Sequence, residues 1–141
     1  MRSGGIFLFN DINYHIPFSN FDYKVDTNIA IFSSGSFGQH LRSAILSIPQ
    51  IKIVGWFDED FKESMQEGLD VSAPQEIKSF KFDKILVASL NKSRINEITK
   101  QLKILGIPEK KISTIKKFDS EYEHVLQKLG FNLKDFRYLK G

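Results

Sequence analysis

The sequence predicts an α/β protein built on a doubly wound, mainly parallel sheet of about five strands, with helices on both faces. Short, wholly apolar runs at Ile29–Phe32 and Ile85–Ala88 have the pattern of strands buried on both sides. Between and after them, apolar residues recur at helical spacing, as in Phe37, Leu41, Ala44, Ile45 and Ile48. The connections are short, and strands alternating with helices imply parallel pairing through right-handed crossovers.

Taken in order, residues 1–27 read as an N-terminal extension, with the α/β domain expected over 28–141. Ile6–Phe9 is a candidate strand ending at Asn10-Asp11. Tyr14, Ile16 and Phe18 alternate like a second strand, which Pro17 would confine to an edge. Ser19-Asn20 reads as a turn after this hairpin. Strand Ile29–Phe32 leads through a serine- and glycine-bearing turn into a helix that stops at Pro49, and a further strand spans Ile51–Phe57. After a polar connector over 61–68, Asp70–Pro74 suggests a short strand and a helix start capped by Ser72. DKILVAS, 83–89, is a strand. Asn91 opens a helix with Ile95, Ile98, Leu102 and Leu105 on its core side, ending at Gly106. Lys111–Ile115 completes the strands, Tyr122–Leu129 is a last helix, and the apolar residues of 131–139 imply that the end of the chain docks.

The turn Ser33-Ser34-Gly35-Ser36-Phe37-Gly38 fits the dinucleotide fingerprint G-x-G-x-x-G, with Ser33 in place of the first glycine. Unpartnered amides and a positive dipole end make a helix N-terminus a phosphate site, and Gly35 leaves room for a phosphate to approach the main chain. Gly38 allows close helix–strand packing. Serine enters positive φ less freely than glycine, so a differently shaped turn is expected. Asp58 follows Gly38 by twenty residues, the position of a carboxylate that accepts from a ribose hydroxyl. Topology brings loops 33–38, 58–60 and 89–93 together at the C-terminal strand ends, where ligands of such sheets bind.

Composition narrows the class. The 141 residues suffice for one domain, and 13 phenylalanines favour packed structure. With no apolar run near the ~20 residues of a membrane span and no signal-peptide core, a cytoplasmic protein is expected. The absence of cysteine excludes thiol nucleophiles, disulfides and cysteine-bound metals. Residues 1–91 carry 8 Lys/Arg against 11 Asp/Glu, and residues 92–141 carry 12 against 6, a shift from −3 to +6. The lysines are interleaved with acids and lack a base-stacking motif, so the pattern argues for a solvated surface and against nucleic acid.

The succession IFSSGSFGQHL, IKIVGWFDED, LDVSAPQEI, DKILVAS and LGIPEKKISTI resembles the Rossmann-like nucleotide-binding module that precedes the catalytic region of bacterial UDP-sugar 4,6-dehydratases and also occurs as small free-standing proteins. Related modules precede sugar acyltransferases. The resemblance spans about 28–116 and departs from the usual G-A-G-x-x-G at Ser33. It implies that Gly35, Ser36, Phe37 and Gly38 line a diphosphate and Asp58 a ribose, with Ser89 and Asn91 flanking the rest of the ligand. It further implies NAD(H) or a UDP-sugar as ligand and a role in sugar-nucleotide or surface-polysaccharide metabolism; a homo-oligomer or a partner enzyme is a separate expectation, since the chain shows no complete catalytic motif.

No catalytic set is complete. A dehydrogenase-type tyrosine requires a lysine four residues on, where Tyr14, Tyr23 and Tyr122 are followed by Phe18, Thr27 and Leu126. Zinc-protease, nucleophile-elbow and Walker motifs are absent. His15 and His124 read as packing or surface residues, His40 as a surface residue, and Asp58-Glu59-Asp60 as a solvated loop with one functional carboxylate. The expectation is a nucleotide-binding module. Its alternatives are an NAD-dependent sugar-nucleotide oxidoreductase completed by a partner, or an assembly domain without catalysis.

Overall fold

The structure, a computed structural model, describes residues 5–16, 27–132, 134 and 137–138. The central sheet is formed by β3 (Thr27–Phe32), β4 (Ile51–Phe57), β5 (Lys84–Val87) and β6 (Ile112–Thr114), all parallel, in the order β4-β3-β5-β6. Side chains of β3 alternate between two cores, as a strand buried on both faces requires. Ile29 and Ile31 join Leu41, Ala44 and Ile45 of helix α1 (Ser36–Leu46). Ala30 and Phe32 join Ile98 and Leu102 of helix α3 (Lys92–Ile104). A short helix α2 (Phe61–Gln66) lies between β4 and the next segment.

This parallel sheet has four strands where about five were expected. Asp70–Pro74 supplies a single parallel bridge, Phe57 to Ser72. Ser72 donates its amide to the Trp56 carbonyl of β4 and accepts from the Asp58 amide just past that strand, and Pro74 then brings no N–H to extend the ladder. The helix expected there is a 3-10 turn, Pro74–Ser79. Ala73 and not Ser72 precedes it, its amide donating to the Glu76 carboxylate at 3.1 Å.

The N-terminal strands β1 (Gly5–Phe9) and β2 (Ile12–Ile16) form an antiparallel hairpin. Its two-residue turn, Asn10-Asp11, has both φ angles positive, 46° and 65°, the type I′ geometry that matches strand twist. The hairpin belongs to a second sheet, β7-β2-β1-β8, completed by β7 (Lys116–Lys117) and β8 (Arg137–Tyr138). The predicted edge position of β2 is therefore wrong. Tyr14 and His15 pair with β7, so β2 has a neighbour on each side there. Pro17, Phe18 and the turn at Ser19-Asn20 lie outside the described residues. Docking of the chain's end is seen at Arg137–Tyr138, which pair with β1.

Phe7, Tyr14 and Ile16 face the core shared with α1, and Ile6 meets Leu126 of helix α4 (Ser120–Lys128) on the other side. The described residues thus stack as α4, second sheet, α1, parallel sheet, α3. No helix among them is long and apolar enough to cross a membrane.

Candidate functional site

The strand order reverses between β3 and β5, and the loops following them frame a crevice of about 430 Å³. All eight residues singled out in the sequence line it: Ser33, Gly35, Ser36, Phe37, Gly38, Asp58, Ser89 and Asn91. Asp60 and Arg94 line it as well.

The glycine loop is held by its own residues. Ser33 has φ 104°, so the serine takes up a backbone conformation that favours glycine. Its amide donates to the Phe57 carbonyl at 2.7 Å, and its carbonyl accepts from Trp56 Nε1 at 2.8 Å. Trp56 is in turn covered by the Arg42 guanidinium, 5.2 Å from the ring centre. A Cβ on Gly38 would lie 2.3 Å from the Ser33 carbonyl oxygen, so the close approach of helix to strand demands glycine there. Gly35 differs. It is extended, at φ −68° and ψ −171°, and a Cβ there would meet nothing within 4 Å. Gly35 is the N-cap of α1 and gives no side-chain cap, so the first-turn amides look toward the crevice without that partner.

Asp58 is buried at the end of β4 and fastens the loop. Its Oδ2 accepts from the Ser34 amide and hydroxyl, both at 2.6 Å, and its Oδ1 accepts from the Asp60 amide at 2.8 Å. Ser64 of α2 adds a hydroxyl 2.6 Å from that of Ser34. Oδ1, with one donor, keeps capacity to accept a further hydrogen bond. A bulge aims this strand end: Ile29 pairs with Ile53 but Ala30 with Gly55, leaving Val54 as the extra residue.

Ser89 and Asn91 shape the start of α3. The Asn91 amide donates to Ser89 Oγ at 3.1 Å, and Asn91 Oδ1 caps the Arg94 amide at 3.0 Å. A second helix N-terminus is thereby directed at the crevice. Arg94, half-exposed, lies 3.8 Å from Glu59 and 3.4 Å from Glu97. Sequence reasoning missed this cation. Its signal was the third position after an N-cap asparagine at a C-terminal strand end, where the chain turns across the site.

Phe37 turns its ring away from solvent, into a cluster with Phe9 (5.2 Å), Tyr14 (5.0 Å) and His40 (6.1 Å). His40, expected on the surface, is half-buried there, because the second sheet covers that face of α1. Burial lowers its pKa, and it raises that of the fully enclosed Tyr14. The Tyr14 hydroxyl and His40 Nε2 are buried without a hydrogen-bond partner. His15 is buried as a packing residue, its Nδ1 lying 2.9 Å from the Tyr122 hydroxyl, and His124 is exposed.

The crevice combines amide donors, a guanidinium, two carboxylates and small side chains, a set suited to an anionic ligand that also bears hydroxyls. Among the described residues that line it, none form a nucleophile–base pair. No curated protein matches the chain. Residues 25–113 match the family model described as C2185-like, N-terminal, a span containing the parallel sheet from β3 to the start of β6 and the whole crevice, and the chain belongs to that family.

Proposed function

We propose that the protein is a Rossmann-like nucleotide-binding module whose crevice takes a diphosphate-bearing ligand, NAD(H) or a nucleotide sugar. Numbered along the chain, the parallel strands run 2-1-3-4, a doubly wound order whose reversal point is the usual ligand position. One observation carries the reading. At that reversal, two helix N-termini, an uncrowded glycine and Arg94 face a single crevice. The fold places no atom where a Gly35 side chain would go, so its own packing does not explain the glycine, whereas close approach of a phosphate does.

Asp58 acts first as the clasp that pre-forms the loop and second, through Oδ1, as an acceptor for ribose. The acidic pair Asp58 and Asp60 disfavours the extra 2′-phosphate of NADP. The likeness to the UDP-sugar dehydratase module makes sugar-nucleotide metabolism the context and a partner enzyme the source of any catalytic groups.

Thermal-shift titration against NAD(H), NADP(H), UDP-sugars and coenzyme A tests the proposal. A true ligand at a hundredfold its Kd stabilises by about 2.7 kcal/mol. Silence across the panel would leave an assembly domain, and substrate-dependent NADH formation would make the chain part of an oxidoreductase.

A further inference from the structure

We infer that the crevice continues past Leu90 into a second pocket, and that this pocket selects a ligand carrying negative charge at its far end. The inference rests on the nucleotide reading of the first site and names the ligand class more narrowly. Leu90 lines both spaces, and the second measures about 290 Å³. Ile95, Ile115 and Val125 give it apolar walls, and Lys92, Lys116 and Lys117 also line it. Among the described residues none of the three lysines is in an ion pair.

Two acids also line the pocket. Asp119 is engaged as the cap of α4, accepting from the Tyr122 amide at 2.9 Å, and Glu121 is exposed. The remaining polar group is the Tyr122 hydroxyl, fixed by His15. Lys116 is paired with His15 across β2 and β7, and directly opposed residues share a sheet face, so its main chain is held beside that hydroxyl. Lys116, Lys117 and Tyr122 fall outside the matched span 25–113. The second sheet and α4 therefore add a charged extension to the shared crevice.

UDP-glucose and UDP-glucuronate provide the test, since they differ in whether the far end is a hydroxymethyl or a carboxylate. By calorimetry the wild-type protein should bind the acid about tenfold more tightly, the scale of one charged hydrogen bond. The Lys116→Gln/Lys117→Gln variant should lose that preference and bind UDP as the wild type does. Equal affinity of wild type for the two sugars, or an undiminished preference in the variant, would overturn the inference. Should UDP itself fail to bind, the glycine-loop reading has failed separately. Titration with inorganic pyrophosphate then judges the second pocket: amide shifts at Lys116, Lys117 and Tyr122, absent in the variant, uphold it, and their absence in the wild type rejects it.

Discussion

Ser33 and Gly38 are two halves of one contact. The helix can sit close to β3 because Gly38 has no side chain, and the carbonyl it passes belongs to a serine held at φ 104° by its bond to the Phe57 carbonyl and the bond it accepts from Trp56. Gly38→Ala would force a methyl into that carbonyl, which cannot yield without breaking the turn. Urea denaturation should show a loss of more than about 2 kcal/mol, the scale of over-packing with backbone strain. Ser33→Gly should do the reverse. Relief of about 1–3 kcal/mol of backbone strain exceeds the roughly 0.5–1 kcal/mol that glycine's freedom adds to the unfolded chain, leaving about 1 kcal/mol of stabilisation. A loss of stability in Ser33→Gly would mean that its side chain has an unrecognised partner.

Among the elements, the runs of β3 and β5 were legible because strands buried on both faces leave a continuous apolar signature, and α3 because Asn91 and a helical stripe mark it. The 70–74 segment was read only in part, since it gives one bridge to β4 and a 3-10 turn instead of a full strand and an α-helix. Its apolar Val71 is buried by folding back under β4, a tertiary effect that local pattern does not encode. The bulge at Val54 had a local trace in Gly55, since glycine inside a strand often accompanies one. On α1, Phe37 fell on the predicted apolar stripe, but the burial of His40 was the least readable feature. The histidine is covered by a hairpin distant in sequence, and nothing near residue 40 announces it. That burial has a pH consequence. His40's pKa is lowered in the folded state, so from its ordinary value near 6.5 downward the unfolded chain binds more protons. The stability it contributes is complete above about pH 6.5 and falls as the pH drops toward the folded value. Unfolding free energies measured between about pH 7.5 and 5.5 should decline more steeply for wild type than for His40→Phe, which keeps the ring cluster without the proton. Parallel curves would place His40 in contact with solvent.

At the scale of the molecule, the crevice belongs to the parallel sheet but α1 depends on both sheets. Phe7, Tyr14 and Ile16 are buried against the core it shares with β3, each side chain contributing about 1.5–3 kcal/mol. Their sum is comparable with the 5–15 kcal/mol of a typical domain. A fragment of residues 25–113, the family span, should therefore lose cooperative thermal unfolding even though it contains the whole crevice; a sharp transition would show the parallel sheet to be self-sufficient. Strand order made the meeting of the three loops foreseeable from sequence. The β1–β2 hairpin was also foreseeable, but its growth into a second sheet with a pocket beside it was not, because β7 and β8 are short and join it across long chain separations. The central claim is that the amides beginning α1 receive a diphosphate, and amide-shift mapping with NADH or UDP-glucose tests it most directly. The account predicts saturable shifts at Ser36, Phe37, Gly38 and Arg94 in the wild type, lost in a folded Gly35→Val variant; shifts confined to other surfaces, or unchanged in that variant, would contradict it.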